Sequence, residues 1–361
     1  MERIVCSKAN WLANNGYEVT ILTTEQNNRP NFFPLNNTIN RVDLDIIYSE
    51  LNNTSILKKF FLRRKKQKVH QSKMTEFLHN HKPDIVISTF GNEVGILPKI
   101  NDGSAKLVEI HFSRWYRLQL NRKGFWKLID KILTYSDLKN ASKYKKLICL
   151  TEEDKHNWKS LGKNVIVIPN FIECKAETPA KLEAKKIISV GRLSYQKGYD
   201  RLIDAWDKVN HLYPDWELNI FGDGEQHSYL QNKIDCMGLN KSIHICPPTN
   251  SIYDEYAKHS VFVLSSHYEG LPMVLLESLA YGLPIIAFDC QCGPKEIVKS
   301  GSNGFLIKDN EITQMSDAII ELIENPSRRK IMGSNSYAKA DNYTKENIMN
   351  IWEHLFKKIT C

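Results

Sequence analysis

The sequence predicts an α/β protein of two domains, and three observations support this fold class. The chain has 361 residues, a length that suits two hydrophobic cores better than one. Hydrophobic residues make up 42% of it and charged residues 25%, which is the balance of a folded globular protein rather than a disordered one. Short apolar runs alternate with helical patterns in both halves, as they do in parallel sheets. We therefore expect two Rossmann-like domains that face each other across a cleft.

The predicted elements follow from the apolar runs in chain order. The chain begins with an amphipathic helical pattern that Asn15-Gly16 ends. The predicted strands are residues 19–22, 85–88, 106–110 and 146–150 in the first half, and 187–190, 218–221, 243–245, 261–264 and 284–287 in the second. Helical patterns cover 199–210 and 272–281. Because such a domain normally opens with a strand and a glycine-rich turn, the helical start predicts an unusual domain, or a reading frame that lacks the first strand.

The predicted domain boundary lies at 165/166, where a β-rich run over 165–170 leads into a polar stretch over 173–186. This gives an N-terminal domain over 1–165, a C-terminal domain over 166–345, and a helix over 346–361 that can pack back on the N-terminal domain. Residues 1–170 carry 28 Lys/Arg against 16 Asp/Glu, whereas residues 171–361 carry 21 against 25. A basic half and a mildly acidic half suggest different binding partners.

The cysteines and the hydropathy exclude several protein classes. Cysteines at positions 6, 149, 174, 236, 246, 290, 292 and 361 form no Cys-x-x-Cys pair, so we expect reduced, structural thiols rather than a zinc site. No stretch approaches the ~20 apolar residues that span a bilayer, and the first residues contain no signal-peptide core. We therefore expect a cytoplasmic protein, which can still touch a membrane surface.

The strongest functional signal is the segment from Ser265 to Pro284, which follows a predicted strand. Glu269 would lie in the loop at the carboxyl end of that strand, where open α/β sheets bind ligands. Pro272 suits the first turn of the next helix and Gly282 the position just past its end. The backbone N–H groups after Gly270 would therefore point from a helix N-terminus toward an anion. Glu277 would line the same pocket, where paired carboxylates can accept hydrogen bonds from sugar hydroxyls.

A second signal is the segment from Val190 to Gly198, which again runs from a strand through a loop into a helix. Gly191 lets the backbone approach a ligand closely. Arg192 can fork to phosphate oxygens, and Lys197 adds a point charge at the same sheet edge.

Together these two segments resemble the family 4 retaining glycosyltransferases of GT-B fold. The resemblance extends over 289–306, and Glu2-Arg3 resembles the end of the family's opening glycine loop, whose glycines are absent here. It implies that the C-terminal domain binds a nucleotide-sugar donor and that the N-terminal domain meets the acceptor. The nucleotide sugar is a substrate, so no cofactor is expected.

The resemblance also implies a role for each residue that matches the family's motifs. Arg192 and Lys197 would neutralise the leaving diphosphate, so that catalysis is electrostatic. Glu269 would contact the donor sugar and Glu277 the ribose, while His111 resembles a histidine that many members place near the sugar. The implied catalytic residues are thus Arg192, Lys197, Glu269 and His111, and the implied donor-binding residues are Gly191, Gly270, Leu271, Pro272, Met273, Val274 and Glu277.

The expected reaction is transfer of a hexose or N-acetylhexosamine from a UDP-linked donor, with retention of configuration. The expected acceptor is a glycan or a polyprenyl-diphosphate-linked oligosaccharide in cell-surface polysaccharide assembly. The segment 288–294 is similar to members that use such donors. Two alternatives stay open: a nucleotide-sugar epimerase of the same architecture, and a truncated, non-catalytic remnant.

Asp43-Leu44-Asp45 matches the Asp-x-Asp pair with which the other main glycosyltransferase fold holds a divalent metal. It lies in a β-rich stretch over 41–48 without further family context. We expect both aspartates at solvated strand positions and no metal requirement.

A basic run over 58–68 is predicted to face an anionic membrane. Its basic residues are Lys58, Lys59, Arg63, Arg64, Lys65, Lys66 and Lys68, around an apolar triplet at 60–62. A plain solvated helix is the first alternative. Nucleic acid is the second, but no nucleic-acid-binding motif accompanies the run, so no nucleic-acid partner is expected.

Overall fold

A computed structural model describes residues 1–27, 29–119 and 122–360, so Cys361 lies outside the described residues. The chain forms two compact units. One comprises residues 1–149, 155–168 and 349–361, and the other comprises residues 150–154 and 169–348.

Strands and helices alternate along the chain. The strands are β1 (Thr20–Thr23), β2 (Asn40–Asp43), β3 (Ile85–Ser88), β4 (Ala105–Glu109), β5 (Lys146–Cys149), β6 (Val165–Val167), β7 (Lys186–Val190), β8 (Glu217–Phe221), β9 (Ile243–Cys246), β10 (Val261–Leu264), β11 (Ile285–Asp289) and β12 (Gly304–Lys308). The helices are α1 (Glu2–Asn14), α2 (Ile56–His81), α3 (Tyr116–Gln119), α4 (Phe125–Ala141), α5 (Glu152–Asn157), α6 (Tyr199–Leu212), α7 (His227–Cys236), α8 (Ile252–Ala257), α9 (Met273–Ala280), α10 (Pro294–Ile297), α11 (Ile312–Glu324), α12 (Pro326–Lys339) and α13 (Lys345–Thr360).

The second unit is built on a six-stranded sheet with the strand order β12-β11-β10-β7-β8-β9. Every neighbouring pair is parallel. The central strand β10 reads Val-Phe-Val-Leu and is buried along its whole length, because helices cover both faces of a parallel sheet. Trp206 of α6 and Met315 of α11 belong to the hydrophobic core on one face, and Leu275 of α9 belongs to the core on the other.

The first unit contains a four-stranded parallel sheet, β3-β4-β5-β6, and a separate parallel pair, β1-β2. Its core collects Val108 and Leu147 with Leu78 of α2, all at most 2% exposed. The end of α13 belongs to this unit. There Trp352 is buried and carries the Lys8 ammonium 3.8 Å from its ring centroid.

The prediction of an α/β protein with parallel sheets is confirmed. Each strand predicted in the sequence is present, displaced by two residues at most. The predicted boundary at 165/166 falls inside β6, because Val165–Val167 pairs with β5, and the first unit continues to Ile168. The first part of the β-rich run is therefore the last strand of the first sheet.

The described part of the chain offers no helix that is both long and apolar enough to cross a membrane. Its seven cysteines form no disulfide with one another, and Cys149, Cys290 and Cys292 are buried.

Candidate functional site

The site lies where the strand order of the six-stranded sheet reverses. From β7 the chain continues to β8 and β9 on one side, whereas β10, β11 and β12 extend the sheet on the other side. The carboxyl ends of β7 and β10 are therefore neighbours at a topological switch point, which is where open α/β sheets bind ligands. The two sequence motifs follow these two strands.

Lys197 and Glu269 meet at this point although 72 residues separate them in the chain. The Lys197 ammonium donates a hydrogen bond to Glu269 Oε1 over 2.8 Å. The side chains are 16% and 7% exposed, so little water screens the pair. The sequence predicted both residues for one site, and the fold places them in direct contact.

Two further groups hold the Glu269 carboxylate in place. The Ser266 hydroxyl donates to the same oxygen, Oε1, over 2.6 Å, and Ser266 is fully buried. The Glu269 backbone N–H donates to the Gln291 carbonyl over 3.2 Å. Oε1 therefore accepts two hydrogen bonds, and the Glu269 carboxylate is held in position without a bound ligand.

The loop that carries Lys197 is fixed to the end of β10 by a close backbone approach. Gly198 adopts a left-handed conformation with φ 59°, and a Cβ there would lie 2.4 Å from the Ser265 carbonyl oxygen. The Ser265 hydroxyl donates to the Lys197 carbonyl over 2.9 Å. Arg201 donates to the Ser265 carbonyl over 2.6 Å. The position of Lys197 thus depends on a glycine at position 198.

The loop from Gly270 to Pro272 leads into α9. The helix begins at Met273, so Pro272 caps it rather than lying in its first turn, and Gly282 follows its end with φ 69°. Leu271 is buried, and Met273 and Val274 are half-buried. The Leu275 N–H donates to the Pro272 carbonyl over 3.0 Å. The N–H groups of Met273 and Val274 precede this bond at the helix N-terminus, which suits them to an anion at the end of β10.

Glu277 lies in the buried part of α9. Its Oε2 accepts a hydrogen bond from the hydroxyl of Tyr256, on α8, over 3.0 Å. Glu277 is 5% exposed and Tyr256 is fully buried. This contact orients the carboxylate that the resemblance assigns to the ribose.

Arg192 and Gly191 lie at the open side of the same sheet edge. The Arg192 side chain is 75% exposed, and its Nε lies 3.4 Å from a carboxylate oxygen of Glu225. A Cβ at Gly191 would lie 2.9 Å from Lys197 Cε, so the glycine leaves room for the lysine. Although Arg192 is close in sequence to Lys197, its side chain pairs with Glu225 and not with Glu269 in the described residues.

His111 lies in the first unit, after β4. Its Nε2 is 3.3 Å from Glu109 Oε1, and Glu109 also pairs with Lys8. Burial lowers the pKa of His111 below its usual value, although Glu109 opposes that change. The imidazole is therefore neutral at pH 7, and its catalytic role stays a prediction from the resemblance.

Stability should fall on mild acidification. Burial lowers the pKa of His70, His111 and His259 in the folded chain, whereas the unfolded chain protonates them near pH ~6.5. The unfolded state then binds more protons than the folded state. The contribution of these histidines to the free energy of unfolding is therefore fully present above pH ~6.5 and decreases as the pH falls below it. Urea denaturation at about pH 7.5, 6.5 and 5.5 checks this, and equal midpoints at all three values would contradict it.

The Asp43–Asp45 pair does not continue along one strand. Only Asp43 lies in β2, and Asp45 follows with φ 52°. Although burial opposes the change, hydrogen bonds from Asn27, Thr23 and Asp45 lower the pKa of Asp43. Its carboxylate thus ties the end of β2 to the end of β1 and the loop after it, so the expectation of two solvated strand positions was wrong in detail. Among the described residues, no group of three His, Cys, Asp or Glu side chains is placed to share a metal ion.

The basic run lies in the first half of α2. Lys58, Arg63, Arg64, Lys65 and Lys68 are exposed, while Lys59 and Lys66 are half-buried. Lys66 pairs with Glu50 over 2.8 Å. Phe60 and Phe61 are also exposed on this segment, at 55% and 69%.

The sequence did not single out two residues that position the site. Ser266 lies inside the 265–284 motif, so its place beside Glu269 could have suggested a role. Tyr256 lies on a different helix from Glu277, and nothing in the spacing of the two residues signals their contact.

Two family models together match nearly the whole chain. The model for glycosyl transferases group 1 matches residues 170–339, and the model for glycosyltransferase family 4 matches residues 1–176. The first includes the Lys197–Glu269 pair and α9.

Individual proteins match over almost their full length. An uncharacterized glycosyltransferase of Haemophilus influenzae is 33% identical over 358 residues, which are 98% of this chain and 94% of that protein. The amylovoran biosynthesis glycosyltransferase AmsD of Erwinia amylovora is 26% identical over 374 residues, with 98% and 95% covered. The crystal structure of Anabaena HepE in complex with UDP has a TM-score of 0.69 at 16% identity, covering 94% of this chain and 99% of that one. At that identity the likeness shows a shared fold.

Proposed function

The chain belongs to the group 1 and family 4 glycosyltransferases, and from this premise we propose that it transfers a hexose or N-acetylhexosamine from a UDP-linked donor. The proposed reaction retains the configuration of the sugar. The observation that carries the proposal is the pair of half-buried Lys197 and buried Glu269 at the switch point of the sheet. A cation and a carboxylate side by side suit a donor that presents a diphosphate next to sugar hydroxyls.

In the proposed reaction, the bond between the anomeric carbon and the β-phosphate oxygen breaks, and its electron pair leaves with UDP. Lys197 stabilises the charge that develops on the diphosphate, with Arg192 and the first N–H groups of α9. The acceptor hydroxyl oxygen bonds to the anomeric carbon on the face that UDP leaves. Its proton passes to the departing phosphate oxygen, so the charges balance without a separate base.

The two carboxylates take different parts of the donor. Glu269, released from Lys197 by the diphosphate, accepts hydrogen bonds from hydroxyls of the transferred sugar. Glu277, oriented by Tyr256, accepts hydrogen bonds from the ribose. Gly191 leaves space for Lys197 to reach the phosphates. Gly270, Leu271 and Pro272 form the loop before α9, Met273 and Val274 form its first turn, and all five are proposed to line the donor site.

We propose a glycan or polyprenyl-diphosphate-linked acceptor in cell-surface polysaccharide assembly. The relative AmsD, which acts in amylovoran biosynthesis, supports this pathway class, and the UDP bound by HepE supports a UDP-linked donor. The proposed location is the cytoplasmic face of the cell membrane.

A panel of nucleotide sugars, each incubated with and without lipid-linked oligosaccharide acceptors, tests the proposal. We expect one UDP-sugar to release UDP only when an acceptor is present, with the sugar recovered on the acceptor as the α- or β-anomer that matches the donor. Free sugar epimers without an acceptor would favour the epimerase instead. Binding of UDP without any turnover would favour a non-catalytic protein.

Transfer should not need a divalent metal, because Lys197 and Arg192 supply the positive charge at the diphosphate. Treatment with a chelator, followed by assay of UDP release, should leave the initial rate unchanged. A loss of rate that only Mg²⁺ or Mn²⁺ restores would contradict this expectation and would favour Asp43 as a metal ligand.

The basic run of α2 is proposed to hold the protein on anionic lipid. Changing Arg63, Arg64, Lys65 and Lys66 to Gln should remove at most ~4 kcal/mol of surface attraction and make the remaining binding less sensitive to salt. Vesicle sedimentation measures this. The matched control changes four exposed lysines of the second unit to Gln: Lys185, Lys208, Lys308 and Lys330. If both variants lose vesicle binding equally, net charge alone is responsible. If the α2 variant binds vesicles as well as the parent does, the proposal is overturned.

A further inference from the structure

Helix α4 is oriented with its polar side toward the protein. Its buried residues are Asp130, Thr134, Asp137 and Ala141, which recur at the spacing of one helix face. Arg117 and Arg122 neutralise the two aspartates: Arg117 Nε lies 3.1 Å from Asp137 Oδ2, and Arg122 pairs with Asp130. Ion pairs therefore hold α4 at Asp130 and Asp137, where an ordinary surface helix presents apolar side chains to the core, and only its C-terminal end packs on the core, through Leu138 and Ala141.

The exposed side of α4 is apolar and aromatic instead. Phe125, Trp126, Leu128, Ile132 and Tyr135 are 71%, 49%, 55%, 59% and 70% exposed. Leu133 adds to the same surface. A cluster of exposed apolar side chains of this kind on a folded protein marks an interaction site.

The solvent-exposed charged side chains of α4 are positive. Lys127, Lys131 and Lys139 are exposed, whereas both acidic residues of α4 are buried in the ion pairs described above. Lysines that alternate with aromatic and aliphatic side chains, with a tryptophan among them, match the chemistry of a bilayer interface: the apolar groups enter the acyl region and the ammonium groups meet the lipid phosphates.

We propose that the exposed face of α4 inserts into the surface of a bilayer that carries anionic lipid. A second copy of the chain fits this face less well. A symmetric dimer would set Lys127 and Lys131 against the same lysines of its partner, and α4 has no exposed acid to pair with them. The inference deepens the membrane attachment proposed above and rests on that location, but α4 carries it independently of α2.

Two isoleucines of equal exposure provide the test. Ile132 on α4 is 59% exposed, and Ile331 on α12 is 62% exposed, so Ile132→Ser and Ile331→Ser remove the same side chain from equally exposed sites. On vesicles of phosphatidylglycerol and phosphatidylcholine, we expect Ile132→Ser to weaken binding about ten-fold, and Ile331→Ser to bind like the parent. Equal binding by Ile132→Ser and the parent would overturn the inference.

Depth of insertion gives a second, independent measurement. Lipids brominated in the acyl chain should quench part of the tryptophan fluorescence of the bound parent protein, and Trp126→Phe should abolish that part. Quenching that persists in Trp126→Phe would contradict insertion of α4. A dimer of the lipid-free parent that Ile132→Ser converts to a monomer would assign the face to a second copy.

Transfer to a water-soluble acceptor separates this inference from the proposed function. Ile132→Ser should keep the parent rate there and lose rate only on the lipid-linked acceptor. If the parent transfers no sugar to any acceptor yet binds vesicles through α4, the proposed function fails while this inference stands.

Discussion

Lys197→Ala is expected to lower kcat/KM for sugar transfer on the order of 10³-fold, the cost of removing a preorganised charged group from a transition state. The loss should fall mainly on kcat, because the negative charge on the diphosphate grows as the bond to the sugar breaks. The fold should persist, since the Lys197 side chain contacts Glu269 in a loop and not the hydrophobic core. UDP release measures the rate, and urea denaturation confirms folding.

Glu269→Ala should give a similar loss for a different reason. It removes the carboxylate that is proposed to accept hydrogen bonds from hydroxyls of the transferred sugar, and it leaves Lys197 and Ser266 without their shared oxygen. Lys330→Ala is the control, because Lys330 forms an exposed ion pair with Glu183 over 3.0 Å in the same unit and such pairs contribute little. If either site variant keeps nearly the parent rate while the control does too, the assignment of the site is wrong.

Gly198→Ala is expected to destabilise the second unit and to abolish transfer together. A Cβ at position 198 would lie 2.4 Å from the Ser265 carbonyl oxygen, a backbone atom that cannot turn away. The loop must shift, and Lys197 shifts with it. The left-handed conformation alone costs roughly 1 kcal/mol for alanine, and the clash adds to this, so a loss of about 2–4 kcal/mol in the free energy of unfolding is expected.

Gly238→Ala separates the two contributions. Gly238 has φ 70°, and nothing lies within 4 Å of a Cβ placed there. It should therefore lose only the conformational part, roughly 1 kcal/mol, and keep its activity. Urea denaturation of both variants measures the difference. Equal destabilisation would show that the approach of Gly198 to Ser265 imposes no constraint on the loop.

The sequence was sufficient to predict nine of the twelve strands of the described residues and the two motifs that follow β7 and β10, whereas β2, β6 and β12 were not named as strands. Runs such as 261–264 are apolar throughout, and a buried parallel strand needs that pattern. Lys197 and Glu269 could be assigned to one site because each follows a strand, and the carboxyl ends of parallel strands share one edge.

Other features depend on partners that are distant in the chain. The hydroxyl of Tyr256 reaches Glu277 from another helix, and no local pattern encodes that contact. The sequence also did not indicate which side of α4 is buried. That side is set by the ion pairs of Asp130 and Asp137 with Arg122 and Arg117, which come from outside the helix, and by core packing of its C-terminal end. The β-branched run over 165–167 indicated a strand, but only its pairing with β5 placed it in the first sheet.

A crystal structure of the protein with UDP tests the central claim most directly. The account predicts that UDP binds at the carboxyl ends of β7 and β10, with Lys197 Nζ about 3 Å from a phosphate oxygen. The ammonium should then no longer be held by Glu269 Oε1 alone, and Glu277 should accept a hydrogen bond from the ribose. UDP bound elsewhere, with the Lys197–Glu269 pair undisturbed, would contradict the account.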